Sequence, residues 1–216
     1  PPSPTAPLPP HPATPTPVGG VRPGAKLHDL QSVLVVGSHF SPNACLGTVV
    51  GMSNAVDQSS CDLSTLVYTN AKGSGAFTLN RYVRRIINAG GNTIDCAKHN
   101  GCILGVGNIA DLTQAAGASI LFDPKVPPVR TKIIATPATK LRDHQLVKVV
   151  GKGFSPASSA QVIECAASST FECAYETSRY AQVSGTGTIE LHNYAVEREF
   201  IAFDENGNEA TIDCAA

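Results

Sequence analysis

Seven cysteines carry most of the chemistry open to this sequence: Cys45, Cys61, Cys96, Cys102, Cys165, Cys173 and Cys214. Two pairs stand close together, Cys96 with Cys102 and Cys165 with Cys173. Zinc ribbons use CxxC pairs, and the sequence has none. Short-loop disulfides in an exported protein suit these spacings. Each such loop stabilises by roughly 2–3 kcal/mol in chain-entropy terms. The odd count leaves one thiol without a partner inside the chain. The histidines (His11, His28, His39, His99, His144 and His192) form no HxH or HxxxH pair, so no metal site is expected. The glycine-rich "AKGSGA" and "GVGNIA" precede no helix whose amides could hold a phosphate, and they read as turns. No serine sits in a nucleophile-elbow motif. The expectation is a protein without catalysis and without a cofactor.

Charge narrows the partners. The formal net charge is −1, which leaves no basic footprint for nucleic acid. The charge is uneven: residues 26–123 carry six Lys/Arg and six Asp/Glu, whereas residues 133–216 carry six and eleven, a net of −5. The residues between hold Lys125, Arg130 and Lys132. No run approaches the ~18 apolar residues of a membrane helix. The chain opens on Pro1 with no signal peptide and reads as mature or trimmed.

These residues must be positioned by the elements around them. Residues 1–17, "PPSPTAPLPPHPATPTP", are low in complexity and favour polyproline II, extending roughly 50 Å. They read as a spacer through a cell envelope or as a ligand for an aromatic groove. The remainder repeats. "RPGAKLHDLQSVLVVGSHFSP" (22–42) aligns without a gap to "TPATKLRDHQLVKVVGKGFSP" (136–156), and "GSGAFTLNRY" (73–82) to "GTGTIELHNY" (185–194). "TIDC" then closes both copies. A repeat of this length means two copies of one domain. The apolar period inside each copy is two, with turn residues every ~8–12 positions. "EFIAFDENGNEATIDC" reads as strand, Asn-Gly turn, strand. The fold class is all-β: two tandem antiparallel sandwiches. The expected layout is a Pro-rich extended tail over 1–20, a sandwich over 21–123, a Pro-rich linker over 124–132 and a second sandwich over 133–216.

"ATPATKLRDHQLVKVVGKGFSPASSAQVIECA" resembles the opening of the neocarzinostatin family. "TIDCAKHNGCILGVGNIADLTQAAGASILFDP" resembles that family's ending, and "YVRRII" (82–87) an internal segment. The resemblance covers nearly all of 21–123 and 133–216. It implies seven-stranded immunoglobulin-like sandwiches, each with two short-loop disulfides, secreted by actinomycetes. The family's known members hold an enediyne chromophore in a cleft. The resemblance assigns Cys96–Cys102 and Cys165–Cys173 as bridges. It places Met52 where the first sandwich would carry its other leading cysteine, and a displaced Cys45–Cys61 bridge is expected instead. Ala166, Ala167 and Ile103 stand where recognition residues would be expected, so the family's ligand contacts do not carry over. Phe77, Tyr82, Ile189 and Tyr194 remain as cleft candidates, or as core residues.

The second copy breaks off where the first continues with "KHNGCIL", so its last strand or strands and the partner of Cys214 are missing. An added strand is expected to complete it, from residues beyond Ala216 or from a neighbouring chain. Two functions stay open. One is a non-catalytic secreted or cell-envelope module of a bacterium, working through a protein partner or through self-assembly at this open edge. The other is a carrier apoprotein for a small apolar molecule.

Overall fold

The computed structural model describes residues 15–55, 57–98, 100–167, 172–203 and 208–214. Most of the Pro-rich tail, His11, His99, the Asn206–Gly207 turn and Ala216 lie outside the described residues. The chain forms two compact units, Pro1–Val126 and Pro127–Ala216. Among the described residues there is no α-helix, only a 3-10 turn at Gln58–Ser60, and no helix is long and apolar enough to cross a membrane.

The first unit contains β1 (Val18–Arg22), β2 (Gln31–Ser38), β3 (Cys45–Met52), β4 (Cys61–Asn70), β5 (Phe77–Val83), β6 (Ile86–Ala89), β7 (Asn92–Asp95), β8 (Cys102–Asn108) and β9 (Asp111–Ile120). A three-stranded sheet of order β1-β2-β5 faces a four-stranded sheet of order β4-β3-β8-β9, and β6-β7 form a separate hairpin. The alternation read in the sequence sets the faces. Val33 and Val35 point inward from β2, Leu46 and Val50 from β3, and Leu104 and Val106 from β8. All are 3% exposed or less. Gly37 permits the close approach of this packing, since a Cβ there would lie 2.3 Å from the Phe77 ring.

The second unit contains β10 (Lys132–Thr136), β11 (Gln145–Lys152), β12 (Ser159–Cys165), β13 (Cys173–Gln182), β14 (Thr188–Val196), β15 (Glu199–Phe203) and β16 (Glu209–Asp213). They repeat β1 to β7 in order: sheet β10-β11-β14, pair β12-β13 and hairpin β15-β16. The repeat extends to the backbone. Pro23 and Pro137 both follow cis peptides, and Lys26 and Lys140 both have φ of 54°. Among the described residues nothing corresponds to β8 and β9. β3 pairs on both sides, with β4 and β8, whereas among the described residues β12 pairs with β13 alone.

One register difference separates the copies. β2 and β5 pair without interruption, Gly37 opposite Phe77 through to Gln31 opposite Val83. In β11 and β14 a bulge intervenes, so that His192 and Asn193 together oppose Lys148. Beyond it the gap-free alignment no longer holds: Tyr194 stands opposite Val147, the place that Arg81 takes opposite Val33.

Candidate functional site

Cys96 and Cys102 are bonded, as are Cys165 and Cys173. The expected Cys45–Cys61 bridge is absent, and both thiols are free. Cys45 pairs with Asn70 at one end of β3, whereas Cys61 pairs with Gly51 at the other. Six residues of extended strand separate these ends, about 20 Å, far beyond the reach of a disulfide. The equivalence with Met52 also needs correcting. Cys165 opposes Cys173 as Gly51 opposes Cys61, so glycine holds the vacant cysteine position. The Cys61 thiol is pushed up by burial and by the Asp57 carboxylate.

The cleft candidates do not line an opening. Phe77 is 2% exposed and packs edge-on against Phe40, with ring centroids 5.8 Å apart. Ile189 and Tyr194 are buried in the second core. Tyr82 is half-buried, on the face of β5 opposite to Phe77. Ala166 is buried and Ala167 exposed. Ile103 lies across Gly117, whose added Cβ would meet the Ile103 Cδ1 at 2.5 Å.

Sequence reasoning missed the polar groups inside each sandwich. Arg81 is buried. Its Nη1 donates to the Thr48 carbonyl at 2.9 Å and to Thr48 Oγ1 at 2.7 Å, and its Nη2 donates to the Thr65 carbonyl. Burial pushes this guanidinium down to about 10. Thr65 itself accepts from the Val50 N–H and donates to the Asp62 carbonyl, holding an irregularity in β4. Thr177 repeats both bonds, with the Glu164 N–H and the Ala174 carbonyl. There the Tyr194 hydroxyl, not a guanidinium, reaches the threonine. The available signal was parity: position 81 shares the inward face of Phe77 and Val83.

A second pair differs in surroundings. Arg85 Nε donates to Asp95 Oδ1 at 2.7 Å and Nη2 to Asp95 Oδ2 at 2.9 Å, with only 8% of the arginine side chain exposed. This bidentate contact, assisted by the Ala97 N–H, holds the Asp95 carboxyl at about 2. Arg85 Nη1 also donates to the Asp123 and Val126 carbonyls, beyond β9. In the second unit Arg198 and Asp213 stand 3.4 Å apart, and the arginine side chain is 62% exposed.

Beside Arg198 lies a cavity of about 380 Å³, lined in part by Leu141, Glu164, Val196, Arg198 and Cys214. Glu164 sits on the inward face where the first unit has Val50. Burial pushes its carboxyl up, although it accepts from the Glu197 N–H at 3.0 Å. The Cys214 thiol is free and exposed, pushed up by partial burial and by the Glu164 and Asp213 carboxylates. Among the described residues no cluster of three His, Cys, Asp or Glu side chains could hold a metal ion.

On the outer face of the four-stranded sheet, small residues lie flush and larger ones pave them. Leu66 and Tyr68 reach over Gly47, and Leu112 touches the space above Gly107. Tyr68 is 62% exposed and Leu112 61%.

The geometry defines a tandem, disulfide-bonded, all-β protein of two sandwiches. Residues 20–122 and 133–216 both match the neocarzinostatin family, and the chain belongs to it. Macromomycin is similar over 50% of this chain and 99% of its own, with 22% identity and a TM-score of 0.41. Apokedarcidin is similar over 50% and 98%, with 22% identity and a TM-score of 0.37. A tetra-tandem repeat from the extending region of a large adhesion protein aligns with 92% of this chain and 48% of its own, with 14% identity and a TM-score of 0.27. No curated protein matches the sequence significantly.

Proposed function

We propose that this chain is a non-catalytic binding module of a bacterial cell envelope or secreted protein, working through protein contacts. The reading rests on the outer face of the first sandwich. Exposed apolar side chains such as Tyr68, Ile109 and Leu112 suit a protein partner, whereas a carrier site is concave and encloses its ligand. Two disulfides agree with an oxidising compartment. The carrier function known for the family keeps one observation in its favour, the cavity of about 380 Å³ in the second sandwich.

A photo-crosslinking residue at position 68, with position 78 on an exposed stretch of β5 as control, separates the two. A protein adduct formed at 68 and not at 78 supports the contact reading. A small apolar molecule retained at one equivalent in native mass spectrometry, with no adduct at 68, supports the carrier reading.

A further inference from the structure

We propose that the outer face of β12 and β13 binds a neutral oligosaccharide, with a sugar ring stacked on Tyr180 and its hydroxyls met by the glutamine and serine side chains around it. The tyrosine recurs in both copies. Tyr68 and Tyr180 each stand three residues after the threonine that steadies the strand, Thr65 and Thr177. Both point away from the core: Tyr68 lies opposite Gly47, next to the buried Thr48, and Tyr180 lies opposite Gln161, between the buried Ala160 and Val162. Tyr180 is 73% exposed. Tyr68 is nearly as open in a sheet of four strands, so this exposure belongs to the position and not to the number of strands beside it.

The surroundings of the two tyrosines differ. Tyr68 has glycine opposite it and Leu66 beside it. Tyr180 is bracketed by two polar rungs. Gln161 Nε2 donates to Ser178 Oγ at 2.7 Å, and Gln182 Nε2 donates to Ser159 Oγ at 2.9 Å. The rungs meet β13 at Ser178 and Gln182, one on either side of Tyr180. Among the described residues neither glutamine side chain makes another hydrogen bond, which leaves each one amide hydrogen and a carbonyl oxygen. A sugar hydroxyl both donates and accepts, and this set offers both roles along about 13 Å of strand. The phenol ring supplies the apolar surface that the C–H face of a pyranose needs.

Charge decides against other occupants. Residues 133–216 carry six Lys/Arg and eleven Asp/Glu, yet the outward positions Ser159, Gln161, Ser178, Tyr180 and Gln182 carry no charge. Arg179 opposes the buried Val162 and belongs to the other face. An anionic glycan or a nucleic acid would meet the net −5 of the unit, and a cation would find no carboxylate on this face. The centre of a protein interface wants apolar neighbours around its tyrosine, and here amides and hydroxyls take their place. A neutral, hydroxyl-rich ligand is the chemistry that remains.

The proposal goes beyond the protein-contact reading of the first sandwich and uses none of its binding residues. The test titrates the 216-residue chain with cellohexaose and with chitohexaose, both neutral, and with hexagalacturonic acid as an anionic counterpart, followed by amide NMR. At least one neutral oligosaccharide should bind, with shifts centred on residues 159–161 and 178–182. Tyr180→Ala should weaken that binding about tenfold or more. The double variant Gln161→Ala, Gln182→Ala should weaken it about tenfold. Tyr175→Ala, which removes another exposed tyrosine of β13, should leave it unchanged. Because Tyr180 is exposed, its variant should keep the parent's unfolding midpoint, which separates lost binding from lost folding. Hexagalacturonic acid should bind about tenfold more weakly than the neutral ligand. No shift with either neutral oligosaccharide, binding that survives Tyr180→Ala, or equal binding of the anion overturns the proposal. None of these outcomes alters the crosslink at position 68, whose failure would remove the contact reading alone.

Discussion

Tyr194 holds in the second sandwich the place that Arg81 holds in the first, each facing inward toward the threonine that steadies the neighbouring strand. The two solutions differ in cost. A buried guanidinium satisfies three acceptors but leaves its Nε without a partner among the described residues. A phenol satisfies one acceptor and buries a ring. Arg81→Leu should destabilise the first sandwich by about 2–4 kcal/mol, because it strands the Thr48 and Thr65 carbonyls. Tyr194→Phe should cost the second only about 0.5–1.5 kcal/mol. Denaturant unfolding of the two variants measures both, and a larger loss from Tyr194→Phe contradicts the account.

Gly51→Cys should form the bridge that the first sandwich lacks. A Cβ built at Gly51 lies 2.9 Å from the Cys61 sulfur, and in a disulfide that separation is about 3 Å. The neighbouring Ser60 carbonyl must yield slightly, since the same Cβ would sit 2.9 Å from it. Thiol titration should fall from the three free cysteines of the parent to two. The closed loop should raise stability by about 2–3 kcal/mol. Four titratable thiols in the variant would show that the strand ends cannot close.

Acid should loosen the first sandwich in a defined window. Asp95 has its carboxyl depressed in the folded state to about 2 from 3.8, chiefly by the Arg85 hydrogen bonds. Its contribution is therefore fully present above the unfolded value and is lost as pH falls through the folded one. Stability of the parent should drop between about pH 4 and pH 2, and Asp95→Asn should flatten that part of the curve. An unchanged acid limb in the variant would assign the loss to other carboxylates.

The three free thiols should react in order. Cys45 is exposed. Cys61 and Cys214 are pushed up by burial and by neighbouring carboxylates, so less of each is thiolate at neutral pH. Timed alkylation with mapping by mass spectrometry should find Cys45 modified first; Cys61 leading would refute the ordering.

Strand positions and the repeat were legible because period-two alternation and turn residues act locally, and β1 to β7 recur as β10 to β16. The Cys96–Cys102 and Cys165–Cys173 loops could be read from short spacing together with the family resemblance. The pairing of Cys45 with Cys61 failed because it demanded knowledge of which strand ends meet, and register is a tertiary property. Tyr194 was misplaced by a bulge of one residue, which no local pattern announces, since "ELHNY" alternates as well without it. Arg81 and Glu164 went unnoticed because a charge on an inward face reads as a break in the pattern until its partners are seen.

The bulge at His192–Asn193 has a genetic corollary. Tandem copies invite unequal crossing-over and gene conversion, which tend to erase the differences between them. A crossover between the codons of β5 and β14 that discards the extra residue would turn Tyr194 outward and present Asn193 to the interior. Exchange in the opposite direction would set Arg81 in solvent and deprive Thr48 of its donor. Hybrid genes joined inside this strand should therefore give misfolded products, whereas joins in the turns on either side should not. A single added residue would in this way hinder exchange between two copies whose strands, β1 to β7 and β10 to β16, otherwise correspond.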